Sequence, residues 1–287
     1  MRRGRTVMWA AFAACCVCLL GCDREEEDPS PDAPASVLPG VAWGTDGTAE
    51  RVPPEAWADF AGQIANSLDG VALHRTDGAL VLAIEHRRFE PIVLSPGPAR
   101  RLTGRSALDG PATIVLGSGF VSEFQSLLPL GLLQIDGEIR SPVSRHGYTR
   151  ILGVGDGRLT VLARREYHRG LLESAMQVGP GVVENGALDI SPRERNLPAY
   201  FRAFAATCTA RDLAGITTRP MHLFDLGNEL LALFASAGFD CPEVANLSGD
   251  REALLGLRAG GQAFLAGHPD SAKAALVAFR ERAATGA

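Results

Sequence analysis

The cysteines are the residues whose type and spacing point most directly to a chemical modification. Cys22 follows Leu19-Leu20-Gly21 at the end of an uncharged apolar run, residues 7–20, and three arginines precede that run. The run is shorter than the roughly 20 apolar residues of a membrane-spanning helix. Residues 19–22 resemble a lipobox, in which the cysteine thiol takes a thioether-linked diacylglycerol. We therefore expect 1–21 to be a lipoprotein signal peptide and Cys22 to be lipidated; an ordinary secretory signal is the alternative.

Two cysteines, Cys208 and Cys241, would remain in the mature chain beside the lipidated Cys22. An exported protein meets an oxidising compartment, where a lone pair of thiols tends to become joined. We therefore expect a disulfide between Cys208 and Cys241. Two separately buried thiols are the alternative.

Well-known catalytic and ligand-binding signatures are absent from the sequence. There is no G-x-S-x-G elbow, P-loop or H-E-x-x-H, and no C-x-x-C pair follows the expected signal peptide. The six histidines are scattered without the spacing of metal ligands. We therefore expect no metal and no cofactor.

A series of short motifs follows the strand ends and loops between residues 69 and 260. In chain order they are Gly117-Ser118-Gly119-Phe120, Pro129-Leu130-Gly131, Gln177-Val178-Gly179-Pro180, Arg202, a helix from Leu223, and Asn246-Leu247-Ser248-Gly249-Asp250. Their order and spacing resemble the phosphodiester glycosidase family. That family's pattern runs Asn-Gly-Gly-x-Phe, Pro-x-Gly, Gln-x-Gly-Pro, Arg, a helix and Asn-Leu-Asp-Gly-Gly. Gln177 to Pro180 is the sharpest match.

The resemblance implies a cleft in which a sugar-1-phosphodiester is cleaved at the anomeric carbon. Such a site needs a cation on the phosphate, polar groups on the sugar hydroxyls and a carboxylate that activates water. Arg202 is suited to a bidentate phosphate contact, and Asp250 is the carboxylate nearest the expected position. The implied substrate-binding residues are Gln177, Gly179, Asn246 and Ser118.

The chain departs from the family pattern at two positions. Gly117 stands where the pattern has Asn, and Ser248 stands where it has Asp. Simpler structural roles also compete at the other positions: Gln177 in a turn, Arg202 as a surface charge, and Asn246 capping a turn. Ser118 has no identifiable base and is not expected to be a nucleophile.

The elements that must position these residues are strands joined by tight turns. Asp-Gly pairs lie between short apolar runs at residues 77–78, 136–137 and 156–157, which indicates three hairpins. Further strands are predicted at 91–94 and 113–116. These runs precede most of the helical signals in the chain.

Helical signals concentrate in the last third of the chain. The spacing of Leu223, Leu226, Leu230 and Phe234 predicts an amphipathic helix that ends near Gly238. An Ala-rich helix is predicted over 271–284, and 191–194 has the form of a capping box. Hairpins first and helices late favour an α+β fold: a mixed β-sheet built from hairpins, with helices packed on it, in a single large domain.

Composition sets the domain boundaries and excludes some partners. Residues 22–39 are acidic and Pro-rich, which is typical of a flexible tether, and 40–287 would form the folded domain. Loss of the signal peptide removes three arginines and no acidic residue, which takes the formal charge from −5 to −8. An acidic chain is a poor candidate for nucleic-acid binding.

Two hypotheses follow from these observations. The first is a membrane-tethered hydrolase of a sugar-1-phosphodiester or related cell-envelope glycan, lipid-anchored on the periplasmic or cell-surface face of a bacterial membrane. The second is a non-catalytic glycan-binding or structural lipoprotein of the same fold. The expected partners are a glycan or sugar phosphate and the lipid bilayer; the sequence leaves the oligomeric state and the choice of membrane open.

Overall fold

The computed structural model describes residues 37–97, 101–117, 119–123, 126–145 and 147–283. These residues belong to one compact unit, Ser36–Ala287. The α-helices in this part of the chain are α1 (Trp57–Ala65), α2 (Gly104–Leu108) and α3 (Leu223–Ala237). Short 3₁₀ turns lie at Pro54–Ala56, Arg164–Glu166, Pro192–Asn196 and Asp250–Glu252.

Strands make up most of the regular structure. In chain order they are β1 (Gly40–Trp43), β2 (Ala49–Val52), β3 (Val71–Arg75), β4 (Ala79–Glu85), β5 (Phe89–Leu94), β6 (Ile114–Leu116), β7 (Val121–Glu123), β8 (Leu128–Pro129), β9 (Leu133–Ile135), β10 (Glu138–Ser141), β11 (Arg150–Gly155), β12 (Arg158–Ala163), β13 (Ser174–Val178), β14 (Gly181–Glu184), β15 (Ala187–Leu188), β16 (Arg202–Thr207), β17 (Arg211–Thr217), β18 (Glu243–Gly249), β19 (Leu254–Ala259), β20 (Gln262–Gly267) and β21 (Leu276–Glu281).

These strands form three larger sheets and the short β7–β8 ribbon. Sheet 1 has the order β2-β1-β20-β19-β6-β21-β5, sheet 2 the order β10-β9-β13-β11-β12, and sheet 3 the order β15-β14-β18-β16-β17-β4-β3. The α+β prediction for a single domain is confirmed. All pairings between the described strands are antiparallel, so these sheets differ from the mixed sheet that we expected.

The predicted hairpins are present, and their turns explain the Asp-Gly signals. Asp136 and Gly137 join β9 to β10 with φ of 50° and 81°, and Asp156 and Gly157 join β11 to β12 with φ of 51° and 65°. Positive φ at both turn residues suits Asp followed by Gly. The β3–β4 hairpin also forms as predicted, around 76–78.

The predicted amphipathic helix is α3. Leu223, Leu226, Leu230 and Phe234 are buried along one side of it, and Gly238 ends it in the left-handed conformation with φ of 67°. The capping-box sequence at 191–194 opens a 3₁₀ turn, in which Ser191 Oγ accepts from the backbone N–H of Arg193 at 3.3 Å.

The helix predicted over 271–284 is wrong. Residues 276–281 form β21, which pairs with β6 on one side and β5 on the other. Leu276 to Phe279 are all buried in sheet 1. The helix propensity of alanine is a weak preference, and burial within a sheet overrides it here.

Sheet 3 has two differently covered faces. On β16, Ala203 and Ala205 belong to the central core shared by the three sheets, whereas Phe204 and Ala206 pack with α3 on the other side. Side chains alternate faces along a strand. Within the described ranges, no helix is long and apolar enough to cross a membrane.

Candidate functional site

Arg202 opens β16 and lies on the face of sheet 3 that α3 covers. Side-chain alternation places it on the same side as Phe204. Its guanidinium lies 3.8 Å from Glu194 Oε1 and 5.0 Å from the centre of the Tyr200 ring. The side chain is 11% exposed, and its Nε has no hydrogen-bond partner among the described residues. Arg202 is therefore a mostly buried cation with an unused donor.

Burial and two nearby carboxylates act in opposite directions on the Arg202 cation. Burial lowers the pKa of Arg202, and the carboxylates of Glu194 and Asp250 oppose that shift. Arginine stays protonated in proteins despite such effects. The positive charge is therefore partly desolvated and only loosely paired, which suits contact with an anion.

Asp250 lies beside Arg202 at the end of β18. Arg202 pairs with Gly249 in the β16–β18 register, which brings the next residue, Asp250, to the end of β16. Asp250 exchanges two hydrogen bonds with Phe201: its backbone N–H donates to the Phe201 carbonyl at 3.0 Å, and its Oδ1 accepts from the Phe201 N–H at 3.2 Å. The residue is exposed. The structure thus brings a carboxylate and a guanidinium together where β16 begins and β18 ends.

Glu194 and His222 join this group, although the sequence indicated neither of them as a site residue. Glu194 Oε2 accepts from the backbone N–H of Phe224 at 3.2 Å, in the first turn of α3. The same oxygen lies 3.9 Å from Nδ1 of His222. A carboxylate at a helix N-terminus is favoured by the unpaired N–H groups and the helix dipole. The one signal available was the Ser191-Pro192 helix-start pattern next to Glu194.

A cavity of about 390 Å³ opens on this side of the protein. It is lined by residues at the start of α3 and by neighbouring loops: Arg195, Arg219, Pro220, Met221, His222, Asp225, Asn228 and Glu229. His222 belongs both to this wall and, through Glu194, to the surroundings of Arg202. The cavity is therefore separated from Arg202 by the Glu194 side chain.

Gln177 is engaged by the protein itself. Its Oε1 accepts from the backbone N–H groups of Leu132 and Ser144, at 3.2 and 2.8 Å. Its Nε2 donates to the carbonyls of Ser144 and Tyr148, at 3.0 and 2.7 Å. These four bonds use both donors and both lone pairs of the amide. This side chain therefore ties two loops together, and it does not present the open amide that we expected for sugar hydroxyls.

Gly179 and Asn246 also bind one another. The amide Nδ2 of Asn246 donates to the Gly179 carbonyl at 3.1 Å, and the backbone N–H of Gly179 donates to the Asn246 carbonyl at 2.8 Å. Asn246 is fully buried, and the Gly179–Pro180 peptide is cis. Gly179 has φ of 131°, which favours glycine. In this structure, both residues hold the start of β14 against β18.

The two positions that depart from the family pattern are in contact. A Cβ placed on Gly117 would lie 2.4 Å from Ser248 Oγ and 2.9 Å from the Cβ of Ala203. Ser248 is fully buried, and its hydroxyl donates to the Glu252 carbonyl at 2.9 Å. Ser248 is paired with Ala203, so it faces the central core, opposite to Arg202. No side chain larger than glycine fits at 117 without movement.

The expected constellation of Gln177, Arg202 and Asp250 is therefore divided. Arg202 and Asp250 lie together, while the amide of Gln177 is directed at loops beside sheet 2. Ser118 and Cys22 lie outside the described residues. Cys208 and Cys241 are joined in a disulfide, as we predicted. No group of three or more His, Cys, Asp or Glu side chains within the described ranges is arranged to hold a metal ion.

Comparison with known proteins adds a distant likeness of fold. No protein-family profile and no curated protein sequence matches the chain. The catalytic domain of zebrafish N-acetylglucosamine-1-phosphodiester alpha-N-acetylglucosaminidase, auto-inhibited by its pro-peptide, is similar in structure with a TM-score of 0.53 and 15% identity, over 88% of this chain and 86% of that one. A hypothetical protein from Synechocystis gives 0.48 and 12%, over 74% of this chain and 61% of that one. At 15% identity the first likeness shows a shared fold alone.

Proposed function

We propose that this chain is a membrane-tethered hydrolase that cleaves a sugar-1-phosphodiester or a related cell-envelope glycan. The observation that carries the proposal is the proximity of Arg202 and Asp250 at the shared end of β16 and β18. The fold likeness to a phosphodiester glycosidase catalytic domain and the order of the loop motifs support it. A buried cation beside an exposed carboxylate supplies the phosphate contact and the general base that such chemistry needs.

The proposed reaction is displacement at the anomeric carbon by water. The water oxygen bonds to that carbon while the Asp250 carboxylate takes a proton from the water. The bond between the anomeric carbon and the phosphate oxygen breaks, and the phosphate monoester leaves with the electron pair. Arg202 contacts the phosphate oxygens and stabilises the negative charge that they gain. A phosphate monoester is a good leaving group, so the site has less need of a general acid than ordinary glycoside hydrolysis does.

The proposal is tested by assaying the purified full-length protein on a sugar-1-phosphodiester. Release of free sugar and phosphate monoester is expected, and Asp250→Asn should lower turnover by about 10²- to 10⁴-fold. Asn tolerates the left-handed backbone conformation that Asp250 adopts, so this substitution changes the charge more than the turn. Absence of hydrolysis, or an Asp250→Asn variant as active as the wild type, would refute the assignment.

A non-catalytic glycan-binding lipoprotein is the second candidate, and a specific observation favours it. Ser248 Oγ occupies the space where a side chain at 117 would lie, so the two motif positions leave no room for a family-like Asn. The Gln177 amide makes all four of its hydrogen bonds to backbone groups. Under this alternative, calorimetric titration with a sugar phosphate shows binding without product. Asp250→Asn would then leave affinity unchanged or improve it by removing a negative charge.

The membrane tether is part of the same proposal. The lipobox-like sequence before Cys22 supports lipidation and placement in the cell envelope. Cys22→Ser should release the protein from the membrane fraction, because the lipid would be its attachment. Mass spectrometry of the N-terminus identifies the lipid directly. A wild-type N-terminus without lipid, combined with unchanged partitioning of the variant, would count against the tether.

A further inference from the structure

Lys273 is the single lysine among the 28 basic residues of the chain, and it is completely buried. It lies in the segment between β20 and β21, where its backbone N–H donates to the Leu102 carbonyl at 2.9 Å. A buried ammonium group is costly unless it is paired and hydrogen-bonded. The contacts of the Lys273 ammonium therefore indicate the role of this buried side chain.

The contacts of Lys273 are two consecutive residues of the 3₁₀ turn that carries Asp250. Its Nζ donates to the Arg251 carbonyl at 2.7 Å and lies 3.4 Å from Glu252 Oε2. Glu252 is nearly buried, with 7% of its side chain exposed. The Ser248 hydroxyl binds the Glu252 carbonyl from the other side. A buried ion pair and two hydrogen bonds thus hold the turn in place.

The geometry of this turn decides where the Asp250 carboxylate lies. Asp250 has φ of 45°, a left-handed conformation that costs energy for a residue other than glycine, and its carbonyl accepts from the Ala253 N–H at 3.0 Å. Such a conformation persists when the surrounding contacts enforce it. Arg251 and Glu252, which Lys273 holds, are the two residues directly after Asp250.

We propose that Lys273 is a positioning residue: by holding Arg251 and Glu252 it fixes the turn that presents Asp250 to Arg202. The catalytic consequence rests on the function proposed above, whereas the ordering of the turn does not. A compact ammonium can donate to a carbonyl and meet a carboxylate one residue away, whereas the planar fork of arginine suits two parallel acceptors. Burial lowers the pKa of Lys273, and Glu252 opposes that shift, as expected of a desolvated pair.

The test separates positioning from simple stability. Lys273→Met removes the cation that lies against the buried Glu252 carboxylate, so loss of stability is expected from that variant alone. Lys273→Met/Glu252→Gln removes both charges and should recover most of the stability. Asp212→Asn is the matched control: Asp212 is a buried carboxylate paired with His86 at 3.0 Å, at the opposite end of the β16–β17 pair from Arg202.

Amide hydrogen exchange and turnover of the full-length protein are the readouts. In the double variant, we expect the Asp250 and Ala253 amides to exchange about tenfold faster or more, with the amides of β4 unchanged. Turnover should fall as the turn becomes less ordered, even though the free energy of unfolding of the whole domain is recovered. Asp212→Asn should leave exchange of the Asp250 and Ala253 amides at the wild-type rate.

Each outcome decides the proposal. If the turn amides of the double variant exchange at the wild-type rate, Lys273 does not hold the turn. The same conclusion follows if the strand amides of the sheets exchange faster by the same factor as the turn amides. If the double variant does not fold, Glu252→Gln alone removes one of the two contacts and should accelerate exchange in the turn to a smaller extent; wild-type exchange there would also overturn the role. A wild-type protein without turnover refutes the proposed hydrolase, while the exchange result still decides what Lys273 does.

Discussion

Arg202 is the residue on which the proposed chemistry depends most. Replacing it by Gln removes the cation while retaining hydrogen-bonding capacity. A charge-assisted contact to phosphate contributes about 1.5 to 3 kcal/mol, so turnover should fall by roughly 10- to 100-fold. Stability should change much less, because the pairing with Glu194 at 3.8 Å is loose. Steady-state kinetics and urea unfolding of the same preparations check the two effects separately.

Arg87→Gln is the control for that substitution. Arg87 is an exposed arginine that pairs with Glu85, at the far end of β4. Its loss should alter neither turnover nor stability measurably, since exposed ion pairs contribute little. If Arg202→Gln lowers the unfolding free energy and the activity in parallel, Arg202 is a structural residue.

The contact between Gly117 and Ser248 makes a prediction of its own. Gly117→Ala should lower the unfolding free energy by about 1 to 3 kcal/mol, because the new methyl group would overlap Ser248 Oγ. Adding Ser248→Ala should return part of that loss, which gives a favourable coupling of about 1 kcal/mol in a double-mutant cycle. Gly44→Ala is the control, since its Cβ would find its nearest neighbour at an ordinary 3.5 Å. Strict additivity at 117 and 248 would contradict the contact.

Gln177 acts between elements, since it ties the loop before β9 to the loop before β11. Gln177→Leu should lower the unfolding free energy by about 2 to 4 kcal/mol, because it leaves buried backbone groups without their partners. Gln63→Leu on α1 is the matched control, since Gln63 is exposed. Urea unfolding measures both. A Gln177→Leu variant as stable as the Gln63→Leu control would mean that the four hydrogen bonds are not maintained in solution.

Local signals in the sequence were sufficient where one turn or one periodicity decides an element. Asp136-Gly137 and Asp156-Gly157 mark turns whose backbone needs positive φ at both positions, and α3 follows from the spacing of its leucines. The segment 276–281 differs because its structure depends on β5 and β6, which are distant in sequence. An Ala-rich run has no local feature that reports such partners.

The candidate site was predictable only in part for the same reason. Arg202 and Asp250 belong to motifs that could be read in order, and the β16–β18 register brings them together. Glu194 stands out in the sequence only as a capping-box residue, and His222 and Lys273 belong to no motif. Each of the three reaches the site through a packing contact with another element. The amide of Gln177 could not be assigned either, because its backbone partners come from two separate loops.

The disulfide joins the end of β16 to the start of β18, the two strands that carry Arg202 and Asp250. It closes a loop with a sequence separation of 33 residues, so Cys208→Ala/Cys241→Ala should cost about 3 to 4 kcal/mol in the chain-entropy account. Thr209→Val, which removes only the neighbouring hydrogen bond to Asp240, is the milder control. Unfolding of non-reduced samples measures the difference. Two labelled thiols in the denatured, unreduced wild type would exclude the bridge.

Across the whole domain, the three sheets meet in one apolar core, and the ionisable groups lie mostly around it. The exceptions are partly buried groups whose protonation is therefore coupled to folding. Burial lowers the pKa of His268, and the nearby cations Lys273 and Arg251 lower it further. Burial also lowers the pKa of His74, with Arg211 adding to the effect. These two histidines make the stability of the domain depend on pH.

The sign of that dependence follows from which state binds more protons. The folded-state pKa of His268 lies below its ordinary value of 6.5, so the unfolded chain takes up more protons as the pH falls through that window. The stabilising contribution present above pH 6.5 is then lost as acidification passes through the folded-state pKa. Asp212 behaves oppositely: burial raises its pKa, so its contribution is present at low pH and lost as the pH rises through the raised value.

We therefore expect the unfolding free energy, measured in urea between about pH 7.5 and about pH 5.5, to decrease on acidification. His268→Gln should make that decrease shallower, because one of the two coupled histidines is gone. His168→Gln is the control, since His168 is exposed on a loop. The carboxylates, Asp212 included, contribute equally to the pH dependence of every variant. Comparing the slopes of unfolding free energy against pH between variants therefore removes their contribution. A slope that His268→Gln leaves unchanged, or that both histidine variants reduce equally, would show that the surroundings of His268 do not couple its protonation to folding.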